Sequence, residues 1–289
     1  METARIETPS RTLKRLSADE VEAFRRNGYH FPLRVLTEQQ AGECRRKLEA
    51  FEAARGLVMK TPFRNKPHLV FTWAYELIHH PKILDAVEDL LGPDLLVWGS
   101  SFFIKEPNDP AYISWHQDST YWGLSHPDIV TAWVAFTVSD VPNGAMRVVP
   151  GSHLKDQLPH KDTFAQNNLL TRGQEVAVEV DPRDAVDLVL SPGEMSLHHV
   201  RIVHGSEPNR AGYRRIGFAI RYVPTYVKQT AGPKDFATLV RGTDRYRHFE
   251  YEHGPTVDLG RAEIAEHARV TEAANQILYR GTDKLNKPA

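Results

Sequence analysis

Residues 129–152 read IVTAWVAFTVSDVPNGAMRVVPGS. Two apolar runs, Ile129–Val138 and Met146–Val149, are followed by the turn formers Pro142-Asn143-Gly144 and Pro150-Gly151-Ser152. Branched and aromatic residues in short runs bounded by Gly and Pro predict strands. The same pattern extends to both sides. Leu95–Ile104 and Ala111–His116 precede it, while Val176–Val180, Asp187–Leu190, Glu194–His198, Arg201–His204 and Ile216–Val223 follow. Breaks at Pro107-Asn108-Asp109-Pro110, Ser191-Pro192-Gly193 and Gly205 to Gly212 divide them. Short strands so divided predict an antiparallel sandwich or barrel over about residues 95–225.

Outside this block the apolar spacing shifts to three and four. Ser17 and Glu20 have capping-box spacing ahead of VEAFRRN, closed by Gly28. Thr37 and Gln40 repeat the device ahead of AGECRRKLEAFEAARG, closed by Gly56. Pro81–Leu91, with Gly92 at its stop, predicts a third helix. Residues 17–92 therefore read as helical, and a tail over about 259–280 returns to helical periodicity. Without an internal repeat or low-complexity linker, residues 1–289 read as one domain, mainly β with flanking helices.

Composition narrows the function. The chain has 36 Lys+Arg against 37 Asp+Glu, a net charge of −1, which argues against a nucleic-acid binder. No apolar run approaches a membrane span, and METARIETPSRTLKRL has no apolar leader core, so a soluble cytoplasmic protein is expected. One cysteine, Cys44, excludes an intrachain disulfide and a thiolate zinc cluster. It sits on an amphipathic helix and reads as a packing residue. Against it stand 14 histidines, so any metal would be held by imidazole and carboxylate.

Ser114-Trp115-His116-Gln117-Asp118 is the most informative stretch. On a strand, His116 and Asp118 point to one face and can offer a nitrogen and an oxygen to one ion. His204, 88 residues later, is the best third ligand; His198 and His199 are the alternatives. Two histidines and a carboxylate on one face of a metal form the facial triad of non-haem Fe(II) oxygenases. The Gly205-Ser206 that follows, and Arg215 eleven residues on, favour His204. A guanidinium suits the far carboxylate of a dicarboxylic cosubstrate, and Gly205 and Gly217 would allow close backbone approach. Adjacent strand residues face opposite sides, so Arg214 is read as the exposed neighbour of Arg215.

WHQDSTYW at Trp115–Trp122, Ala132-Trp133, NGAMRVVPGSH at Asn143–His153, and HGSEPN with RRIGFAIRY across His204–Tyr222 resemble the phytanoyl-CoA dioxygenase family of Fe(II)/2-oxoglutarate oxygenases. The order and spacing agree from about residue 18 to residue 225. The resemblance implies a double-stranded β-helix core, a jelly roll of cupin-like form, with His116, Asp118 and His204 on iron. It places Arg215 on the 5-carboxylate of 2-oxoglutarate, with Ser206, Trp133, Gln117 and Lys105 as neighbours of the cosubstrate. The activity it implies is oxidation, foremost hydroxylation, of a small-molecule metabolite or natural-product intermediate, with O2 consumed and succinate and CO2 released. A carboxylate at Asp118 favours hydroxylation over the chlorination of relatives that carry a small residue there.

Tyr121, Trp122 and Arg147 are candidates for the substrate pocket; the bland readings are core packing for the aromatics and a rim ion pair for Arg147. His153 reads as structural, and Arg241-Gly-Thr-Asp-Arg-Tyr-Arg-His as a solvated segment. Arg55–Lys66 and Pro159–Gly173 are placed to act as lids. Two rival functions remain: a metal-dependent hydrolase or isomerase on a cupin-like barrel, and a non-catalytic small-molecule binder.

Overall fold

Both capping boxes form. The Ser17 hydroxyl accepts from the Glu20 N–H and the Glu20 carboxylate accepts from the Ser17 N–H, while Thr37 and Gln40 repeat the exchange. They open helices α1, Ala18–Asn27, and α2, Glu38–Arg55, between which lies strand β1, Tyr29–Arg34. The computed structural model describes residues 12–56, 58–59, 62–170, 172–232 and 235–282, so the reading of residues 1–11 and parts of the first lid fall outside it. Two further helices follow, α3 over Thr72–Ile78 and α4 over Pro81–Leu91. Strand β1 corrects the purely helical reading of this region. Pro32 withholds one ladder donor, which an edge strand tolerates, and β1 lies at the sheet edge beside a single neighbour.

The remaining strands are β2 (Leu95–Lys105), β3 (Ile113–His116), β4 (Val130–Ala135), β5 (Met146–Val148), β6 (His160–Asp162) and β7 (Gln174–Val176). After them come β8 (Val186–Leu188), β9 (Glu194–His199), β10 (His204–Ser206), β11 (Arg215–Pro224), β12 (Phe236–Arg241) and β13 (Glu250–Tyr251). Helix α5, Arg261–Leu278, follows. Seven strands form a large sheet in the order β1-β9-β4-β11-β2-β12-β13, and four form a smaller one in the order β3-β10-β5-β8. This is the jelly-roll architecture expected. Strands β12 and β13 carry the large sheet past residue 225, and Arg241, far from being solvated, pairs with Asp85 and Glu88 of α4 at 2.7 Å each. The expected strand at Val176–Val180 ends at Val176 as the second arm of the β6–β7 hairpin. That at Arg201–His204 begins only at His204, because residues 199–202 form a turn in which the Ile202 N–H reaches the His199 carbonyl at 3.0 Å.

Period two divides the large sheet into a structural face and a working face. Ala132, Val134, Phe218, Ile220 and Tyr222 join Trp73, Leu77, Ile83 and Val87 of the helices in one buried cluster. Their neighbours in sequence point the other way and form rows across the strands. Lys105 lies opposite Arg215; Gly217 lies between Phe103 and Ala135, Ala219 between Ser101 and Trp133, and Arg221 between Gly99 and Thr131. Cys44 is packed against the helical cluster, where burial pushes its thiol up to about 11, as suits an inert packing residue.

Candidate metal centre

Antiparallel pairing of β3 with β10 sets His116 directly across from His204, with ring centroids 4.1 Å apart. Asp118 arrives by a different route from the one its spacing suggests. Strand β3 stops at His116, and Asp118 opens a 3-10 turn over Asp118–Tyr121, anchored by its N–H on the Val200 carbonyl at 3.0 Å. A turn, not the strand pleat, brings the carboxylate in. Asp118 Oδ1 then lies 3.3 Å from His116 Nε2 and 3.9 Å from His204 Nε2, and one donor atom from each residue falls within 4.8 Å of the others. Gly205 permits this proximity, because a Cβ there would lie 2.9 Å from the Ile113 carbonyl oxygen.

The donor set fits a divalent cation. His116 Nδ1 faces the carbonyls of Ser114 at 2.9 Å and His204 at 3.1 Å, and His204 Nδ1 faces that of Ile202 at 3.0 Å. A carbonyl only accepts, so each Nδ1 carries the proton and each Nε2 turns a lone pair toward Asp118. Burial, reinforced by His116, holds the His204 pKa well below the usual imidazole range, and the ring is neutral. Burial alone would push Asp118 up; the three imidazoles around it, His116, His198 and His204, outweigh burial and hold its pKa well below the usual carboxylate range, so the group is an anion. His198 lies 3.9 Å from the other carboxylate oxygen, behind the three-residue group and outside it.

The first cavity, about 40 Å³, runs from this group to Arg215 and is lined by Phe103, Asp118, Trp133, His204 and Ser206 among others. Arg215 comes from the large sheet, facing the smaller sheet that carries His116 and His204. It is buried over the Trp133 ring at 5.6 Å, donates through Nη1 to the Gly144 carbonyl, and keeps Nε without a partner among the described residues. Burial lowers its pKa to about 10, which leaves a charged guanidinium with no carboxylate paired to it among the described residues. The space for the Trp133 ring depends on Gly217, where a Cβ would come within 1.9 Å of that ring. Lys105 Nζ donates to the Ser206 hydroxyl at 2.7 Å and to the Glu207 carbonyl; burial and the charge of Arg215 pull its pKa down to about 6.

Gln117 does not join them. Its amide donates to the Arg201 carbonyl at 2.7 Å and accepts from the Leu158 N–H at 2.7 Å and from Gln157 at 2.9 Å, tying down the 157–160 loop. Arg214 is not an exposed neighbour. It grips both carboxylate oxygens of Glu52 at 2.7 and 2.8 Å and Glu106 at 2.7 Å, fastening α2 to the sheet. Arg147 pairs with Asp187 at 3.0 Å and lines neither cavity beside the metal group, which favours the rim reading. His153 holds the Arg25 carbonyl at 3.0 Å, a structural contact.

A second cavity of about 370 Å³ opens outward, sharing Phe103, Asp118, Leu170 and Arg221 with the first. Tyr121 and Trp122 line it; Trp122 also packs on Trp98 at 4.8 Å between centroids, and the Tyr121 hydroxyl donates to Asp162. Arg64 and Arg172, from the two segments read as lids, border this chamber; sequence reading missed Arg221 and the face of α5 around Asn275 and Leu278, which border it too. Arg221 was within reach, since period two from Arg215 along β11 puts residues 217, 219 and 221 on the same face.

A His–Asp–His group on a jelly roll, facing a buried arginine across a narrow pocket, defines the class as a non-haem iron, 2-oxoglutarate-dependent oxygenase. The chain belongs to the phytanoyl-CoA dioxygenase (PhyH) family, whose profile matches residues 13–217. Its cofactors are accordingly Fe(II) and 2-oxoglutarate. It is 31% identical over 175 residues, 60% of this chain and 60% of the relative, to a probable alpha-ketoglutarate-dependent hypophosphite dioxygenase of Stutzerimonas stutzeri. The match thus spans about three fifths of that protein's length. Among solved structures, the apo non-heme monooxygenase ThoJ is similar with a TM-score of 0.78 at 38% identity, over 90% of this chain and 97% of that one. CytC3 with Fe(II) and alpha-ketoglutarate is similar with a TM-score of 0.61 at 26% identity, over 81% and 92%. Among the described residues, no helix is long and apolar enough to cross a membrane.

Proposed function

We propose that this protein hydroxylates a small-molecule metabolite or natural-product intermediate, with His116, Asp118 and His204 holding iron and Arg215 holding the 5-carboxylate of 2-oxoglutarate. One observation carries the reading: a buried guanidinium with no carboxylate paired to it among the described residues shares a cavity with three metal donors. When bound, iron and 2-oxoglutarate supply the oxidising chemistry, releasing succinate and CO2. The chain's own residues supply position and exclusion. Carbonyls of Ser114, His204 and Ile202 fix the two imidazole tautomers. Arg215 offers two parallel donors to a carboxylate, Ser206 and Lys105 add further donors beside it, and the Trp133 ring closes one wall against water. Asp118 supplies the carboxylate whose presence favours hydroxylation. Action in the cytoplasm is part of the proposal, and a chain with one cysteine and no intrachain disulfide is consistent with it.

The test is succinate release from 2-oxoglutarate by the purified chain with Fe(II) and O2, with Asp118→Ala reducing it to background while circular dichroism stays unchanged. Full turnover in that variant, or a reaction that ran with Zn(II) and without O2, would overturn the assignment in favour of hydrolase or isomerase chemistry.

A further inference from the structure

We propose that the substrate carries an anionic oxygen group, a carboxylate or a phosphate-type oxyanion, and that Arg64 and Arg221 receive it in the outer chamber. The inference deepens the oxygenase reading and rests on it for the position of the reacting centre. Four cationic side chains line the chamber: Arg64, Lys66, Arg172 and Arg221. Two of them are neutralised. Lys66 pairs with the buried carboxylate of Glu252, which His68 also holds at 3.0 Å, and Arg172 pairs with Asp162 at 3.1 Å.

Arg64 and Arg221 have no such partner. Arg64 donates only to main-chain carbonyls, of Phe102 and Leu169, at 3.1 Å each, and Arg221 donates to the Ser101 hydroxyl at 2.9 Å. Neither forms an ion pair with a carboxylate among the described residues. Both guanidiniums lie against one ring, Phe103, at 5.3 and 6.0 Å from its centroid, and Arg221 also stacks on Trp122 at 5.5 Å. Two half-buried like charges against one ring are unfavourable unless anions offset them, and the carboxylate of Asp118, which favours the Arg221 cation, does not outweigh the burial that lowers its pKa. Burial and the charge of Arg221 pull the Arg64 pKa down to about 10, in the direction that proximity requires.

The backbone accounts for the placement. Arg221 belongs to the working face of β11, in one row with Gly99 and Thr131. Arg64 is pinned by its two carbonyl bonds, so its planar fork is already oriented before any ligand arrives. Because Arg221 and Asp118 line both cavities, an oxyanion bound between the arginines would leave the rest of the substrate beside the metal group. The net charge of −1 conceals this local excess of positive charge.

The same chemistry has one competing source, the 1-carboxylate of 2-oxoglutarate itself. The test therefore uses the full chain with and without 2-oxoglutarate and Zn(II), titrated with inorganic phosphate and with propionate while tryptophan fluorescence reports on Trp98 and Trp122. A saturable change is expected, weakened tenfold or more in Arg221→Gln and Arg64→Met and largely restored in Arg221→Lys, with the 2-oxoglutarate Kd unchanged within twofold. In parallel, a succinate-release screen of matched acids and methyl esters is expected to yield acids. The proposal is overturned by titrations without saturation, by wild-type affinity in both variants, or by neutral hits. It is equally overturned if Arg221→Gln weakens 2-oxoglutarate instead, which would assign the pair to the cosubstrate. Anion binding retained by a chain that released no succinate under any condition would sink the oxygenase reading and leave this one standing. Melting temperature separates loss of fold from loss of site in Arg64→Met.

Discussion

The two cavities that meet at Asp118 are built on different principles. The inner one is made by the sheets: its walls are alternate residues of β2, β4 and β11 and the ends of β3 and β10, fixed by ladder register. The outer one is made by whatever crosses the open end of those sheets. The segment after Pro62, the residues Leu169, Leu170, Arg172 and Gln174, and the face of α5 close it, joined by side-chain bonds such as Arg172 to the Arg280 carbonyl at 2.6 Å. A register cannot slip by one residue without turning a whole face inside out, so the inner geometry is rigid. Loops and helix faces carry no such constraint, and a chamber built from them is free to differ between relatives that share one chemistry.

Arg215→Ala is the strongest way to test the rigid half. It removes a charge-assisted pair worth about 1.5–3 kcal/mol, so the 2-oxoglutarate Kd is expected to rise roughly 10- to 100-fold. Calorimetric titration reads this directly. If the rise were small, the cosubstrate carboxylate would lie elsewhere and the contrast between the two cavities would lose its anchor. Gly217→Val comes next. Its side chain enters space that the Trp133 ring occupies, since even a Cβ comes within 1.9 Å. Overpacking of this kind costs about 1–3 kcal/mol, with an expected fall in melting temperature and weakened 2-oxoglutarate binding. A comparable insertion in the outer chamber, Ala274→Val, is expected to leave both unchanged.

This contrast also explains what could be read from the chain alone. His116, Asp118, His204 and Arg215 were legible because local spacing and strand period put them on lines that the sheets then bring together. Even so, the route was not legible. Asp118 reaches the site through a turn, and Arg215 through the opposite sheet, because spacing records which residues converge but not the path of the backbone between them. Gln117 shares the motif yet turns to the 157–160 loop, since consecutive residues face opposite ways. Arg64 lay within a segment read as a lid but was not singled out, and the α5 face had no local signature: their positions are tertiary facts, set by helix α5 lying more than two hundred residues from the segment it meets, as in the 2.8 Å bond of His267 to the Asn65 carbonyl.

A weaker effect sharpens the inner half by pH. With a pKa near 6, Lys105 has lost its proton in the free protein above that pH. A carboxylate arriving beside Arg215 and Ser206 restores it, so binding takes up a proton. Affinity for 2-oxoglutarate is then expected to fall as pH rises above about 6, by at most tenfold per unit for one coupled proton. Calorimetry in two buffers of different ionisation enthalpy measures the uptake, and Lys105→Met is expected to flatten the profile. An unchanged slope in that variant would assign the proton to another group.

The smallest expected effect belongs to the outer half. The Tyr121 hydroxyl donates to Asp162, whose carboxylate also holds Arg172, and the Arg172 guanidinium lies 4.2 Å from the centre of the Tyr121 ring. Tyr121→Phe deletes one hydrogen bond to a carboxylate that keeps its arginine, a loss of about 1 kcal/mol. The ring and its stacking remain, so the chamber is loosened but not emptied. Substrate KM is expected to rise a few-fold, roughly the factor of five that about 1 kcal/mol represents, while the 2-oxoglutarate Kd stays constant. Equal changes in both constants would mean that the two cavities are coupled through Asp118, and that the rigid and the adaptable halves do not titrate as separate sites.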